Sequence, residues 1–232
     1  FAPELDIYGD VYAIINQANN IIAAIPLLPD GTTEQKNNLL GEAKFMRAMA
    51  HFDLVRVYGQ PYAYSGNGAH LGVAALRQSP EVFEYPIRNT VAEVYQLIIE
   101  DLEDAKALIN GAAIRSSNSK IWLSADAAKA LLARVYLYQE DWTSALSLAD
   151  EIITSNQYQL ATEANYSGIW KVSGAGKSEV IFEIDLGTNR QNALGEIYGN
   201  GQDQAFASAS NDLRSLYSSN DIRGIKEMIT TY

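Results

Sequence analysis

Apolar residues recur at three- and four-residue steps through most of this chain, the spacing that lines one face of an α-helix. Leu5, Tyr8, Val11, Ile14, Ile15, Ala18, Ile22 and Ile25 predict a first helix over 4–25, stopped by Pro26. After the turn "PLLPDG", Thr32 with Gln35 three residues on has the form of a capping box. The period then runs to Val57, with Gly59 as a stop signal and Pro61 just beyond. This second helix has two apolar stripes. One is Leu39, Ala43, Met46, Ala50, Leu54 and Val57; the other is Phe45, Met49 and Phe52. A helix that is apolar on two sides is packed between neighbours.

Thr90 and Glu93 repeat the capping-box pattern, and Val91, Val94, Tyr95, Ile98, Leu102, Ala105 and Ile109 carry a third helix to Gly111. A polar turn follows at 116–119. Ser124 is placed to cap a helix ending at Tyr138, and Asp141 a further one ending near Ser155. The link between these two is short, so they should pack antiparallel. Ala133, Ala145 and Ala149, with Leu132, Tyr136, Trp142 and Ile152, give 124–155 the small-plus-aromatic pattern of one tetratricopeptide unit. Beyond Tyr158 the helical period fades. Val180, Phe182 and Ile184 alternate with polar residues and predict one strand over 179–186. Short helices are expected over 212–217 and after Asp221.

Residues 60–89 have no helical period and are rich in glycine, proline and aromatic residues, the marks of a long loop. Long loops inside compact domains often carry function. Tyr62, Tyr64, His70, Phe83 and Tyr85 lie here outside any core pattern. Their ring faces could stack on sugars while Asn67 or Arg77 bonds the hydroxyls, making a glycan platform. Packing of the loop onto the helices is the alternative. Trp170 is a further candidate of the same kind.

Composition narrows the chemistry. With 47% hydrophobic and 19% charged residues, the 232-residue chain is globular. A net charge of −11 without a basic run argues against nucleic acid as a partner. The absence of cysteine excludes thiol catalysis and Cys-based metal sites, and two histidines leave little for a His-based one. No cofactor or metal is expected. No run of eighteen apolar residues exists to predict a membrane span. The chain opens at Phe1, which suggests a trimmed or mature piece whose targeting segment lies outside it.

Two stretches invite an enzymatic reading. "SGAGKS" at 173–178 has the downstream end of a phosphate loop, but position 171 holds lysine where a glycine is required. It also precedes a strand pattern rather than opening a helix, so a flexible turn is the better reading. Glu183 and Asp185 share one face of the predicted strand, and paired carboxylates can hydrolyse glycosides at the right separation. Alternation alone makes that face the solvated one. Arg47, between the two stripes of the second helix, should pair with a carboxylate on a neighbouring helix. His51, one turn on, should be a packing histidine rather than a metal ligand.

The string "GEAKFMRAMAHFDLVRVYGQPY" at 41–62 closely resembles the signature helix of the SusD/RagB-like family. In the family's order follow "TVAEVYQLIIEDLEDAKALI", "SADAAKALLARVYLYQEDWTSALSLADEIITSNQYQL", "YSGIWKVSGAGKSEVIFEI" and "NDLRSLYSSNDIRG". His51 stands where an aromatic is common and Gln60 where an acid is common. The resemblance implies a mainly α, tetratricopeptide-like scaffold with long loops and minor β structure, an α-α superhelix. It implies that 1–232 is a single helical domain from a longer chain. It further implies a non-enzymatic, lipid-anchored protein on the outer face of the outer membrane in Bacteroidetes-type bacteria. Such a protein captures a glycan or peptide nutrient for a partner TonB-dependent, SusC-like transporter. The lipid-bearing cysteine expected upstream is absent here. The family's binding residues follow no fixed motif, so Tyr62, Tyr64, Asn67, Arg77, Tyr85 and Trp170 remain candidates on their own chemistry. A generic tetratricopeptide-type scaffold that binds peptides is the alternative function.

Overall fold

The computed structural model describes residues 7–111, 120–166, 169, 177–184, 210–218 and 220–221. The chain divides into two compact units, Phe1–Tyr158 and Gln159–Tyr232.

The first unit is helical. Helix α1 is Tyr8–Ala24, followed by a single 3-10 turn at Ile25–Leu27, where Pro26 ends the α-helical ladder. Helix α2 is Thr33–Tyr58, α3 is Val91–Leu108, α4 is Ala125–Tyr138 and α5 is Trp142–Thr154. Both predicted capping boxes form. Thr32 accepts from Gln35 N–H while the Gln35 side chain accepts from Thr32 N–H, and Thr90 and Glu93 do the same. Ser124 and Asp141 cap α4 and α5 through Ala127 N–H and Ser144 N–H.

Each helix packs on the next in sequence: α1 on α2, α2 on α3, α3 on α4 and α4 on α5. This is the expected tetratricopeptide-like arrangement, with α2 between α1 and α3. Its buried residues, among them Ala43, Phe45, Ala48, Phe52 and Val55, lie on more than one side of the helix. At Gly41 α2 lies tight against the C-terminal end of α3. A Cβ there would sit 2.8 Å from Ile109 Cγ1 and 3.0 Å from Leu108 Cβ, so the close approach requires glycine despite its low helix propensity. Phe52 meets the Tyr138 ring edge-on at 5.3 Å and the Tyr95 ring at 6.1 Å, tying α2 to α4 and α3.

Gly59 ends α2 as expected, with an extended backbone (φ −102°). Glycine is needed there for space, because a Cβ would lie 2.7 Å from Val55 O. In the second unit, no strand forms over the described part, 179–184, of the expected 179–186 element. Lys177–Glu179 is a 3-10 turn and the residues after it are irregular. Apolar alternation makes a strand only where another strand supplies its backbone partners. The one antiparallel bridge among the described residues is Leu71 with Thr90, in the first unit. Helix α6, Asn211–Ser215, matches the short helix expected near 212–217. The polar turn at 116–119 and the helix after Asp221 lie outside the described residues.

Candidate functional site

The loop between α2 and α3 holds most of the candidate residues, and its construction starts from buried polar chemistry. Arg47 and Asp101 are 4% and 2% exposed, so each charge needs full compensation. Arg47 Nε and Nη2 donate to the two Asp101 carboxylate oxygens at 2.7 Å each, a bidentate pair between α2 and α3. Nη1 donates to Asn19 Oδ1 on α1 and to the backbone oxygen of Arg77 in the loop, both at 2.7 Å. One guanidinium thus joins three helices to the loop. The carboxylate expected for Arg47 is Asp101.

His51 works beside it. Its Nδ1–H donates to Arg47 O at 2.9 Å, and its Nε2 accepts from Leu76 N–H at 3.1 Å. Since Leu76 N–H can only donate, the ring is neutral with its proton on Nδ1. Burial pushes the His51 pKa down to about 4, in keeping with that neutral form. Asn19 Nδ2 donates to Leu76 O at 3.3 Å, and Tyr12 O–H donates to Ala74 O at 3.0 Å. Burial raises the Tyr12 phenol above its ordinary range.

The two ends of the loop are laced together. Gly72 N–H donates to Asn89 O at 2.7 Å, Asn89 N–H to Val73 O at 3.0 Å, Val91 N–H to His70 O at 2.9 Å and Ala92 N–H to Gly68 O at 2.9 Å. Asn89 Oδ1 accepts from Ala75 N–H, and Arg88 donates to Gly72 O and Leu71 O. Gly68 has φ +68°, and a Cβ there would lie 2.9 Å from both Ala92 N and the Tyr62 ring. Only glycine allows this closure. Ser79 still touches α1 through Asn20, and from Glu81 to Arg88 the chain is exposed. Val82, Phe83, Tyr85 and Ile87 are each more than 80% exposed, and Phe83 has a left-handed φ of +68°.

The candidate residues therefore have different surroundings. Tyr62 is half-buried, with its ring edge-on to Tyr95 at 5.1 Å. Tyr64 is 69% exposed and packs edge-on against His70 at 5.1 Å; His70 in turn bonds Ser65 Oγ and Gln60 O. Asn67 Oδ1 accepts from Ala69 N–H across an exposed turn. The Arg77 side chain pairs with Glu100 on α3 at 2.7 Å. Tyr85 is 84% exposed, and Trp170 lies outside the described residues.

The loop also borders a pocket that periodicity did not indicate. Tyr8, Gly9, Tyr12 and Asn16 from one face of α1, with Ala74, Leu76, Pro80 and Pro86 from the loop, line an open pocket of about 560 Å³. The i, i+4, i+8 spacing of Tyr8, Tyr12 and Asn16 is visible in the sequence, but nothing in it tells that residues 74–86 fold over that face.

The residues weighed for catalysis do not assemble a site among the described residues. Lys177, the lysine of the loop that mimics a phosphate site, forms an ion pair with Glu183, one of the two carboxylates weighed for glycoside hydrolysis. Its companion Asp185 lies outside the described residues. No group of three or more His, Asp or Glu residues suited to a metal ion is found among the described residues. Nor is any described helix long and apolar enough to cross a membrane.

Against known proteins, a family model for SusD-like chains, described as starch-binding and associating with the outer membrane, matches residues 2–137. SusD-like protein P2 of Formosa agariphila is 28% identical over 210 residues, covering 89% of this chain and 37% of its own length. A SusD superfamily protein of Bacteroides thetaiotaomicron, solved as a crystal structure, superposes with a TM-score of 0.77 at 28% identity, over 90% of this chain and 46% of that one. A laminarin-binding SusD-like protein superposes with a TM-score of 0.59 at 28% identity, over 75% of this chain and 36% of that one. The chain thus spans less than half the length of each of these relatives.

Proposed function

This chain belongs to the SusD-like family, and on that premise we propose that the protein of which it is part captures a nutrient glycan at the outer face of the outer membrane. It holds the glycan without chemistry, under an N-terminal lipid anchor, and hands it to a SusC-like TonB-dependent transporter. The observation that carries this reading is the loop between α2 and α3, whose rigid base presents Tyr64 and Tyr85 to solvent. Exposed aromatic rings can stack on sugar rings, and the bonded base fixes where the loop leaves and rejoins the helices. In this reading Tyr64 and Tyr85 stack on the glycan, Asn67 and Arg77 bond its hydroxyls, and Tyr62 and Trp170 complete the platform. The starch-binding character of the family and the laminarin binding of one relative favour a neutral glucan.

The test is calorimetric titration of the full-length protein with a panel of oligosaccharides and peptides. Binding of a glycan that Tyr64→Ala and Tyr85→Ala each weaken, without release of shorter sugars, is the expected result. A panel with no glycan binder would refute capture, and turnover of a bound oligosaccharide would refute its non-catalytic character. A peptide-binding helical scaffold is the second reading. It is favoured by Trp142, Leu146 and Ile153, exposed along α5 at helical spacing. Binding of peptides only, lost in Trp142→Ala, would select it.

A further inference from the structure

We propose that the pocket between α1 and the loop is a binding site for one neutral pyranose unit, distinct from the exposed aromatics of the loop. The inference rests on the glycan-capture reading for its ligand class, and on the pocket itself for its place. About 560 Å³ lies inside the range of roughly 300–1,000 Å³ typical of small-molecule sites.

Apart from Pro86, its walls are held before any ligand arrives. Tyr8 is wedged between Tyr12, with ring centroids 4.9 Å apart, and Tyr58, edge-on at 4.9 Å. Tyr12 is bonded to Ala74 O, and Leu76 is bonded at its N–H by His51 and at its carbonyl by Asn19. Ser79 O–H donates to Asn20 Oδ1 at 2.8 Å and so anchors Pro80 beside it, while Pro86 reaches the pocket from the exposed stretch 81–87. Gly9 leaves the wall open, since a Cβ added there meets nothing within 4 Å.

The lining selects the ligand. None of its side chains is charged, so an anionic or cationic ligand would find no countercharge. Two tyrosines line it, and aromatic rings can pack on the C–H side of a sugar ring. The exposed Asn16 side chain, which has no hydrogen bond among the described residues, can bond its hydroxyls. An extended peptide fits less well. It would bring main-chain groups that need partners, and the backbone N–H and carbonyl of Leu76 and the carbonyl of Ala74 are already engaged.

The experiment uses the full-length protein, with maltoheptaose and laminarihexaose as probes. Gly9→Trp fills the pocket from a position where the added Cβ meets no neighbour, and Asn16→Ala removes the amide. Thermal midpoints confirm that both variants fold. The expected result is binding of at least one probe by the parent protein, weakened more than about tenfold by Gly9→Trp and measurably by Asn16→Ala. Parent-like affinity in a folded Gly9→Trp would overturn the pocket assignment and leave glycan capture standing, provided Tyr85→Ala still weakens binding. Failure of the parent protein to bind either probe would overturn the assignment together with the glucan reading on which it rests.

Discussion

Residues 68–77 and residues 81–87 belong to one loop and differ in almost every physical respect. In the first stretch, His51, Asn19, Tyr12, Arg47 and the returning residues 88–92 all bond backbone groups, and Gly72, Val73 and Ala74 are buried. The second is fully exposed, and its hydrogen bonds are confined to one turn, where Glu84 N–H donates to Glu81 O and Glu81 N–H to Glu84 Oε2. Both lack helical period. What separates them is whether buried polar side chains on the helices reach the backbone. A loop lying on a protein interior needs such partners, because an unpaired buried backbone group costs about as much as a lost hydrogen bond. The exposed stretch has water instead, and its side chains are free to meet a ligand.

The sharpest way to break this comparison is at Asp101. Asp101→Ala leaves the Arg47 guanidinium buried beside a missing carboxylate, and a loss of about 3–5 kcal/mol is expected in urea denaturation. If the loss is no larger than that of Tyr85→Ala, the distinction between the two stretches is void.

Next in size is a pH effect. The folded-state pKa of His51 is pushed to about 4 by burial, below the ordinary histidine value of about 6.5. Between those values the unfolded chain binds the extra proton and the folded chain does not. His51 therefore contributes its full stabilisation above pH about 6.5 and loses it progressively as pH falls to about 4, by roughly 3 kcal/mol in all. A His51→Gln variant should show a flatter stability profile across that window. A slope unchanged from the parent would show that His51 does not titrate as its surroundings require.

Thr90 ends the loop and caps α3, so Thr90→Ala should cost about 1 kcal/mol. At the exposed stretch, Tyr85→Ala should leave stability within about 0.5 kcal/mol of the parent. Phe83→Asn should be neutral or stabilising by a few tenths of a kcal/mol, since asparagine tolerates a positive φ better than phenylalanine. A loss above about 1 kcal/mol in either variant would mean that this stretch is packed after all.

What could be read in advance follows the range of the interactions. The capping boxes at Thr32 and Thr90 need only a residue three positions away, and both formed as expected. Arg47 was legible as one half of an ion pair because a charge between two apolar stripes must be compensated. Asp101, 54 positions away, was not nameable as the other half. The strand expected over 179–186 failed in its described part for the same reason in reverse: alternation is local, but a strand's backbone partners are not. The loop aromatics read as one set, because nothing in the sequence distinguishes Tyr62, turned against Tyr95, from Tyr85, turned to solvent. The pocket was invisible, since it joins a helix face at residues 8–16 to a loop about 60–70 positions later.

The Arg47 hub has a consequence for how the unit opens. Its partners lie on α1, α3 and the loop, at sequence separations of 28, 54 and 30 residues. None of these bonds can break singly without leaving the buried guanidinium short of a partner. The loop base and the first three helices should therefore behave as one cooperative unit in native-state hydrogen exchange, with the amides of 72–76 opening at the same free energy as the core of α2. The amides of 81–87 should exchange almost at the rate of an unstructured peptide. A display surface that moves freely on a base that opens only by global unfolding can adapt to its ligand without loosening the fold beneath it.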